Sequence, residues 1–345
     1  MMKLLSFIIP SYNCEQFLDI CIPSMLNAEV LPELDIIIVN DGSKDGTEAV
    51  AQKYCDMYPG SIRLISQQNK GHGGALNTGC AAAVGKYLKV IDADDWVETQ
   101  NLPEYLRVLQ ACESDVVLTH YYTRNISNGE VKHWRSYPDV FGKNVTFADV
   151  MVDCKKYDRS LTFHGITYKT AFYQKIGFQL SEHVYYEDQE FATIPCCHAK
   201  TIMPLDLFIY DYRIGDVNQS VSDVNQLKRI GHTETVLNRM ITEYEKLTLP
   251  EGDAARDYYN MKAKVLLLGY MTTVMLLEPD KKKGRKKGAD MMAMFARRMP
   301  KAYDMAIKQY RVYQLMNLLH VSKQNWEKVL NSRLYNTLRH NHDFK

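Results

Sequence analysis

Residues 87–95 read Tyr-Leu-Lys-Val-Ile-Asp-Ala-Asp-Asp, an apolar run that ends in three closely spaced carboxylates. A strand with several acids at its end is costly unless a cation offsets their charge, and oxygen ligands of this kind suit a divalent metal ion. An earlier apolar run, residues 36–39, also ends in an acid, within Asn40-Asp41-Gly42-Ser43. Because parallel strands end at one edge of a sheet, the two runs predict a nucleotide-diphosphate site there.

Working outward from residues 87–95, apolar runs alternate with helical segments over the first 120 residues. The predicted strands are 4–9, 36–39, 62–66, 87–91 and 115–119, and the predicted helices are 47–58, 74–84, 102–112 and one that begins near Asn13 as its cap. Continuous apolar strands separated by helices indicate a mostly parallel sheet covered on both faces, which is an α/β fold of the Rossmann-like kind.

The pattern changes after residue 120. Residues 121–160 are polar and aromatic and are predicted to form an insertion or loop region, followed by candidate strands at 161–168 and 202–212. From about Val224 the spacing of Met and Leu is helical, with breaks at Pro250, Pro279 and Pro300. We therefore predict a catalytic domain over residues 1–222, with halves at about 1–120 and 121–222, and a mostly helical region over 223–345.

Composition limits the class of protein. The chain has 345 residues, of which 46% are hydrophobic, so it can bury a sizeable core. Its eight cysteines contain no C-x-x-C pair, which favours a reduced chain. No apolar run reaches the 18 residues that a membrane span needs, and the start of the chain lacks a signal-peptide pattern. These features predict a cytoplasmic localisation.

Five short motifs occur in order along residues 3–222: Ile8-Ile9-Pro10-Ser11-Tyr12-Asn13, residues 39–47 (Val-Asn-Asp-Gly-Ser-Lys-Asp-Gly-Thr), Asn69-Lys70-Gly71, Asp92-Ala93-Asp94-Asp95 and Tyr186-Glu187-Asp188. Their order and spacing resemble those of family 2 glycosyltransferases, inverting enzymes with the GT-A fold. The resemblance implies transfer of a sugar from a nucleotide-diphosphate sugar, with a UDP-sugar expected, to an acceptor hydroxyl. A bacterial capsule, exopolysaccharide or other surface glycan is the setting that it implies.

The resemblance also assigns the donor-binding residues. Pro10, Ser11, Tyr12 and Asn13 form a loop against which a nucleobase can pack, and Asp41 accepts a hydrogen bond from the base. An ordinary turn is the alternative at both loops, because Asp-Gly-Ser is a good turn former. Lys70 and Arg213 are the cations expected to offset the diphosphate charge, although Arg213 could equally pair with an acid. Many family members carry arginine where this chain has Leu76, which weakens any further phosphate clamp.

For the metal and the chemistry, the resemblance assigns Asp94 to Mn²⁺ or Mg²⁺ and Asp92 to the ribose or to metal-bound water. Asp95 is expected to cap the turn instead. Asp188 is the expected base that takes the proton of the acceptor hydroxyl, and Glu187 supports it. Trp134 and His164 are placed on the acceptor side by chain position and residue type alone.

The C-terminal region is basic, with 16 Lys and Arg residues against 4 Asp and Glu from Lys281 onward. Residues 281–287 contain six of these cations. No nucleic-acid motif accompanies them, so nucleic acid is not an expected partner. An anionic membrane surface at residues 281–301 fits a lipid-linked glycan acceptor and peripheral binding to the inner face of the plasma membrane. A solvated loop between helices and a homodimer through the C-terminal helices are the alternatives.

Two other functions compete with glycosyl transfer. A sugar nucleotidyltransferase would share the alternating sheet, but it should carry a glycine-rich loop after the first strand, where this chain has residues 10–13 (Pro-Ser-Tyr-Asn). A non-catalytic glycan- or lipid-binding protein could retain the same fold. The presence of Asp41, Asp92, Asp94 and Asp188 argues for an active enzyme.

Overall fold

A computed structural model describes residues 3–215 and 223–330. The predicted domain boundary at residue 222 lies outside these residues. Within them, the chain divides into two compact units: the described residues of Met1–Gln219 and Thr248–Tyr259 form the first unit, and those of Ser220–Leu247 and Asn260–Lys345 form the second.

A sheet of nine strands, counted over the described residues, organises the first unit. In chain order the strands are β1 Leu5–Ser11, β2 Leu34–Asn40, β3 Ile62–Ser66, β4 Tyr87–Val90, β5 Trp96–Val97, β6 Val116–Asn125, β7 Val131–Trp134, β8 Ile166–Lys169 and β9 Ile202–Ile214. Across the sheet the order is β3-β2-β1-β4-β8-β6-β9-β5, and β7 pairs with β6. The first four strands run parallel, whereas β8 is antiparallel to both β4 and β6. This sheet, flanked by helices, confirms the predicted α/β fold class.

Helices cover both faces of the sheet in the first unit. They are α1 Glu15–Ser24, α2 Thr47–Met57, α3 Gly71–Ala82, α4 Leu102–Ala111, α5 Phe147–Val152, α6 Thr170–Ile176 and α7 Asp188–Thr193. Phe7 and Ile36 belong to one buried cluster with Leu18 of α1 and Leu106 of α4. On the other face, α3 approaches β1 so closely that a Cβ on Gly79 would overlap the side chain of Ile8. Burial on both faces explains the continuous apolar runs at residues 7–9 of β1 and 36–39 of β2.

The second unit is helical over its described residues. It contains α8 Asp223–Lys228, α9 Ile230–Lys246, α10 Ala254–Thr272 from Asn260 onward, a π-helical turn Thr273–Leu277, α11 Lys281–Arg298, α12 Pro300–Leu318 and α13 Lys323–Leu330. The helices end near Pro250, Pro279 and Pro300, as the sequence predicts. Over residues 3–215 and 223–330, we find no helix whose length and apolar content would let it cross a membrane.

Three local predictions are wrong. Residues 121–160 are not simply a loop region, because β6 continues to Asn125, β7 pairs with it, and α5 follows. Each residue of β7 is exposed or half-buried, so its sequence lacks the buried face that would mark a strand. Asn13 does not cap α1, since it has φ 50° and its Oδ1 accepts a hydrogen bond from Lys44 N instead. The basic segment 281–287 is not a loop, because it forms the first two turns of α11.

Candidate active site

The carboxyl ends of β1, β2 and β4 meet at one edge of the sheet. Ser11 lies opposite Asn40 in the parallel ladder, and the amide of Ile91 donates to Ile8 O at 3.0 Å. Asp41 therefore follows its strand at the same edge as Asp92. Parallel strands that end together expose their terminal backbone and side-chain groups in one crevice, where α/β proteins bind ligands.

Two loops join at this edge. Pro10 and Ser11 end β1, and Ser11 O accepts a hydrogen bond from the Asp41 amide at 2.8 Å. The Asn13 amide donates to Ser43 Oγ at 3.0 Å, which ties the first loop to the second. Tyr12 projects from this joined pair with half of its surface exposed. An exposed ring beside ordered backbone groups offers a flat apolar face to a planar ligand.

Asp41 is almost completely buried, and its side chain also contacts the loop between β3 and α3. Its Oδ1 accepts hydrogen bonds from Gln67 Nε2 at 2.7 Å and from the Lys70 amide at 2.9 Å. Among the described residues, none donates to its Oδ2. The predicted contact with a nucleobase is therefore available through Oδ2, while Oδ1 organises the protein. The side chain of Lys70 is exposed at the start of α3.

The three acids after β4 have different surroundings. Asp92 is partly exposed, and its Oδ1 lies 2.9 Å from His72 Nε2. Burial and then the charge of Asp92 raise the pKa of Asp94 to about 6. Asp95 points inward and is 1% exposed. Its Oδ2 accepts from Tyr210 Oη at 2.5 Å and its Oδ1 accepts from the Arg213 amide at 2.8 Å. Asp95 thus stabilises the turn after β4 from inside the protein, through Tyr210 and the backbone of Arg213.

Arg213 lies in β9 next to these acids. Its guanidinium carbon is 4.8 Å from the ring centroid of Phe17, which is a cation–π distance. The charge of Arg213 also partly offsets the raised pKa of Asp94, so the guanidinium lies close to that carboxylate. The structure therefore brings Arg213 to the acidic cluster that was predicted to meet a diphosphate.

His72, in the first turn of α3, connects two carboxylates. Nε2 lies 2.9 Å from Asp92 Oδ1, and Nδ1 lies 2.5 Å from Glu187 Oε1. Burial disfavours a charged imidazole, but the two acids outweigh this effect and raise the pKa of His72 well above its usual value. Both nitrogens then donate. Sequence reasoning weighs His72 as a donor contact against an ordinary loop histidine, and it does not predict this link between two carboxylates.

The segment before Glu187-Asp188 lies against the start of α3. The His183 amide donates to Lys70 O at 2.9 Å. A Cβ on Gly71 would come within 2.7 Å of His183 N, and one on Gly73 would overlap Ser181 O. The glycines at these two positions therefore leave room for the chain's own backbone.

Glu187 and Asp188 begin α7, where Asp188 is the first helical residue. Tyr186 before them has φ 74°, an unusual conformation for a residue with a side chain. Glu187 is 3% exposed, whereas Asp188 is half-buried and accepts a hydrogen bond from Gln189 Nε2 at 2.9 Å. The two neighbours thus separate into an inward and a more accessible carboxylate.

Aromatic side chains continue the site beyond the acids. His164 stacks on Tyr212 with ring centroids 4.4 Å apart and contacts Tyr121 at 5.0 Å. Trp134 stacks on the other side, with its ring centroid 5.9 Å from that of Tyr121. Burial lowers the pKa of His164 to about 4, so this ring is neutral at physiological pH. The structure brings His164 next to the acids and links Trp134 to them only through Tyr121.

A buried lysine lies beneath this aromatic group. Lys89 of β4 has no exposed surface, and its Nζ donates to His164 O at 2.7 Å and to Ile166 O at 3.3 Å. The ammonium is also 5.8 Å from the Tyr210 ring centroid. Burial lowers the pKa of Lys89 to about 7. This role could not be predicted from the sequence, because Lys89 interrupts an apolar strand and belongs to no motif.

The donor set at this edge can be compared with what a divalent cation requires. Among the described residues, no group of three or more His, Cys, Asp and Glu side chains has the arrangement of a protein-only metal site. Asp92 and Asp94 are nonetheless close enough for the charge of one to raise the pKa of the other. Two carboxylates without further protein ligands fit Mg²⁺ or Mn²⁺, which bind through one or two acids and substrate phosphates.

Comparisons with known proteins relate this chain to a family. Residues 6–173 match the family model described as glycosyl transferase family 2. The uncharacterized glycosyltransferase EpsJ of Bacillus subtilis is 28% identical over 220 residues, which cover 62% of this chain and 62% of EpsJ. The match thus spans less than two thirds of that relative.

Two solved structures share the fold. S. aureus TarS 1–349, in complex with UDP-GlcNAc, has a TM-score of 0.66 at 17% identity, covering 91% of this chain and 89% of that one. The mannosyltransferase PcManGT of Pyrobaculum calidifontis, in complex with GDP-Man and Mn²⁺, has a TM-score of 0.53 at 16% identity, covering 92% of this chain and 84% of that one.

Proposed function

We propose that this chain, which belongs to glycosyltransferase family 2 through residues 6–173, transfers a sugar from a UDP-sugar to an acceptor hydroxyl with inversion. TarS, which shares the fold, is described with UDP-GlcNAc, and this supports a UDP-sugar as the donor. The family membership and the bacterial relative support a role in bacterial surface glycan synthesis.

The proposal rests on one observation, which is that four carboxylates act on the side chain of Tyr212. Burial, and then the charges of Asp95, Asp92, Asp94 and Asp188, raise the pKa of Tyr212. Distances support the same grouping, because His72 lies 2.9 Å from Asp92 and 2.5 Å from Glu187, the residue before Asp188. The acids that follow β4 and the start of α7 are therefore neighbours, although they are distant in the chain. Such a concentration of negative charge at a sheet edge is typical of a site that handles a metal-bound diphosphate and a proton.

In the proposed reaction, the acceptor oxygen bonds to the anomeric carbon from the face opposite the diphosphate. The bond from that carbon to the diphosphate oxygen breaks, and UDP leaves. The acceptor hydroxyl gives its proton to the carboxylate of Asp188. Tyr12 packs on the base, Asp41 Oδ2 accepts from it, and Lys70 and Arg213 offset the diphosphate charge.

Asp94 and Asp92 are the residues that would hold Mn²⁺ or Mg²⁺. When bound, the ion supplies electrophilic stabilisation of the leaving diphosphate. His72 Nε2 holds Asp92 Oδ1 at 2.9 Å, whereas the half-buried carboxylate of Asp94 keeps an accessible side at this edge. We therefore assign Asp94 as the principal protein ligand and Asp92 as the residue toward the ribose or metal-bound water.

The acceptor proposed here is a glycan or a lipid-linked glycan. The aromatic surface formed by His164, Tyr121 and Trp134 adjoins the acids and offers flat apolar faces. Such faces pack well against the C–H surface of a sugar ring. Asp188 lies toward the same surface, since its charge acts on Tyr212, the ring on which His164 stacks, and the buried Glu187 supports it from inside.

We also propose that the second unit contacts an anionic membrane surface. Six cations lie in the first seven residues of α11, where the helix dipole disfavours positive charge, and Asp280 caps that end through Lys282 N and Lys283 N. Lys282 and Lys286 are exposed and have no ion pair within the described residues.

On α12, an exposed face carries Lys308 and Arg311, followed by exposed apolar residues Val312, Leu315, Leu318 and Leu319. Basic and apolar groups together suit anionic lipid headgroups.

Vesicle co-sedimentation tests this surface. The protein should bind vesicles that contain phosphatidylglycerol and leave phosphatidylcholine vesicles unbound, and the double variant Lys282→Glu, Lys286→Glu should lose binding. Lys53→Glu, at an exposed lysine of the first unit, is the matched charge control. Equal binding to both vesicle types, or to neither, overturns the membrane proposal. A dimer in light scattering that Leu315→Ser dissociates would assign the face to a second copy instead.

A nucleotide panel tests the central proposal. UDP and a UDP-sugar with Mn²⁺ should raise the melting temperature, and GDP and CDP should raise it less, because a ligand that binds only the folded state stabilises it. The protein should also hydrolyse the best UDP-sugar slowly to UDP. Release of pyrophosphate from UTP and a sugar phosphate would instead identify a nucleotidyltransferase. Binding with no turnover would identify a non-catalytic protein, and no response to any nucleotide would overturn the function.

A further inference from the structure

We propose that His72 is a positioning residue that fixes the donor-side carboxylate Asp92 to the helix that carries Asp188. The inference rests on the proposed function and adds to it a residue that holds the two halves of the site in register. His72 itself contacts neither the donor nor the acceptor in this proposal. It acts through the two carboxylates that its ring nitrogens reach.

The geometry of the ring carries the inference. His72 Nε2 reaches Asp92 Oδ1, 20 residues later in the chain, and Nδ1 reaches Glu187 Oε1, 115 residues later. An imidazole ring is rigid and planar, so two hydrogen bonds on opposite nitrogens set both the distance and the direction between the two acids. Phe163 lies beside the ring with centroids 6.0 Å apart, which limits its rotation. The end of β4 and the start of α7 are thereby held at one separation.

Backbone contacts also hold the start of α3 against the segment that precedes Glu187. The His183 amide donates to Lys70 O at 2.9 Å, and the missing side chain of Gly71 leaves room for the backbone of His183. A Cβ on Gly73 would come within 3.1 Å of Glu187 Cγ as well as overlapping Ser181 O. The turns on either side of His72 therefore contact the segment that leads into Glu187. The histidine lies at the centre of a larger contact between α3 and that segment.

Glu187 depends on His72 for its place. The residue is 3% exposed, and within the described residues its buried Oε2 has no hydrogen-bond partner. His72 is the side chain that bonds the other oxygen. Removal of the imidazole would leave a buried carboxylate without a donor, a costly state that is relieved when the side chain moves toward water. Because Asp188 is the next residue, such a movement displaces the proposed base.

Kinetics of the full chain with Mn²⁺ test this proposal. The substrate is the UDP-sugar with the largest thermal shift, and water is the acceptor. His72→Ala should lower kcat for hydrolysis on the order of 100-fold, the scale of a small misplacement of reacting groups, while KM for the UDP-sugar and Kd for UDP stay within about twofold. His183→Asn is the matched control, because Asn tolerates the positive φ of this exposed histidine, and it should leave all three constants unchanged.

A double-mutant cycle distinguishes positioning from general weakening of the fold. His72→Ala and Glu187→Ala should each lower kcat, and the double variant should be no slower than the slower single variant, because both remove one connection. Multiplicative losses, or an equal loss of UDP affinity and kcat in His72→Ala, overturn the inference.

The same cycle measured by melting temperature separates this inference from the proposed function. The temperature losses of His72→Ala and Glu187→Ala should be less than additive even if the wild-type protein turned over no UDP-sugar. Additive losses would overturn the coupling, whereas absence of turnover with coupled melting temperatures would overturn the proposed function and leave the contact established.

Discussion

The hydroxyl group of Tyr210 donates a 2.5 Å hydrogen bond to Oδ2 of Asp95, which turns this acid away from its two neighbours and into the protein. Burial, and then the charges of Asp94 and Asp92, raise the pKa of Asp95 well above its usual range. The same Tyr210 oxygen accepts from the Asp92 amide at 3.2 Å. Tyr210 therefore fixes both the Asp95 side chain and the Asp92 backbone. Asp94 lies between these two residues and remains the acid available to the predicted metal ion.

Asp94 and Asp95 should respond differently to the same change. Asp94→Asn should remove the Mn²⁺-dependent part of UDP affinity with little change in melting temperature, since Asp94 is half-buried. Asp95→Asn should lower the free energy of unfolding by about 1–3 kcal/mol, because one oxygen cannot accept from both Tyr210 and the Arg213 amide. Calorimetry with UDP and urea denaturation measure the two effects. Equal effects of both variants on UDP affinity would contradict the assignment.

Asp188 should be required for turnover and dispensable for nucleotide binding. Asp188→Asn keeps the size of the side chain and removes the base, so hydrolysis of the UDP-sugar should fall by at least about 100-fold. Kd for UDP should change by less than about twofold. Glu182→Gln, at an exposed acid in the preceding segment, is the matched control and should keep the wild-type rate. A variant Asp188→Asn with normal turnover would remove Asp188 from the mechanism.

Gly73 and Gly269 test the contact between α3 and the segment before Glu187. Ala has the higher helix propensity, so Gly269→Ala, in open space on α10, should stabilise the protein by about 0.5–1 kcal/mol. In Gly73→Ala the new Cβ would overlap Ser181 O, and the free energy of unfolding and kcat should both fall. Chemical denaturation and hydrolysis rates measure these outcomes. A stabilised, fully active Gly73→Ala protein would show that the two segments do not depend on close contact.

Lys89 should make stability depend on pH. Its pKa is lowered by burial from 10.5 to about 7, so between these values the unfolded chain binds more protons than the folded chain. The free energy of unfolding contributed by Lys89 therefore rises with pH across this window, by up to about 1.4 kcal/mol per pH unit, and below pH 7 the full cost of burying the charge applies.

Lys89→Met removes that dependence. The difference in unfolding free energy, wild type minus variant, should increase from pH 7 to pH 10 in urea denaturation, and contributions from all other groups cancel. Lys53→Met, at an exposed lysine, is the matched control for loss of a lysine from the surface. A flat difference for Lys89→Met would mean that this lysine stays charged in the folded state.

The local sequence was sufficient for much of the fold and for part of the site. Strand β3 and the start of α2 lie where the pattern of residues 62–66 and 47–58 predicts them. Strands β1 and β2 overlap the predicted runs 4–9 and 36–39, because burial on two faces demands continuous apolar residues. The acids Asp41 and Asp92 lie at one edge of the sheet, since parallel strands bring their carboxyl ends together. Strand β7 was missed because each of its residues is exposed or half-buried, so that its sequence resembles a polar loop.

What the sequence determined by itself is thus the alternation of strands and helices and the acids at the strand ends, because periodicity and burial act over neighbouring residues. Packing in three dimensions places β8 antiparallel between β4 and β6, turns Asp95 inward to Tyr210, and joins Asp92 to Glu187 through His72. These relationships connect residues far apart in the chain. They depend on how packed elements place rigid side chains in three dimensions, which no local pattern of residue types encodes.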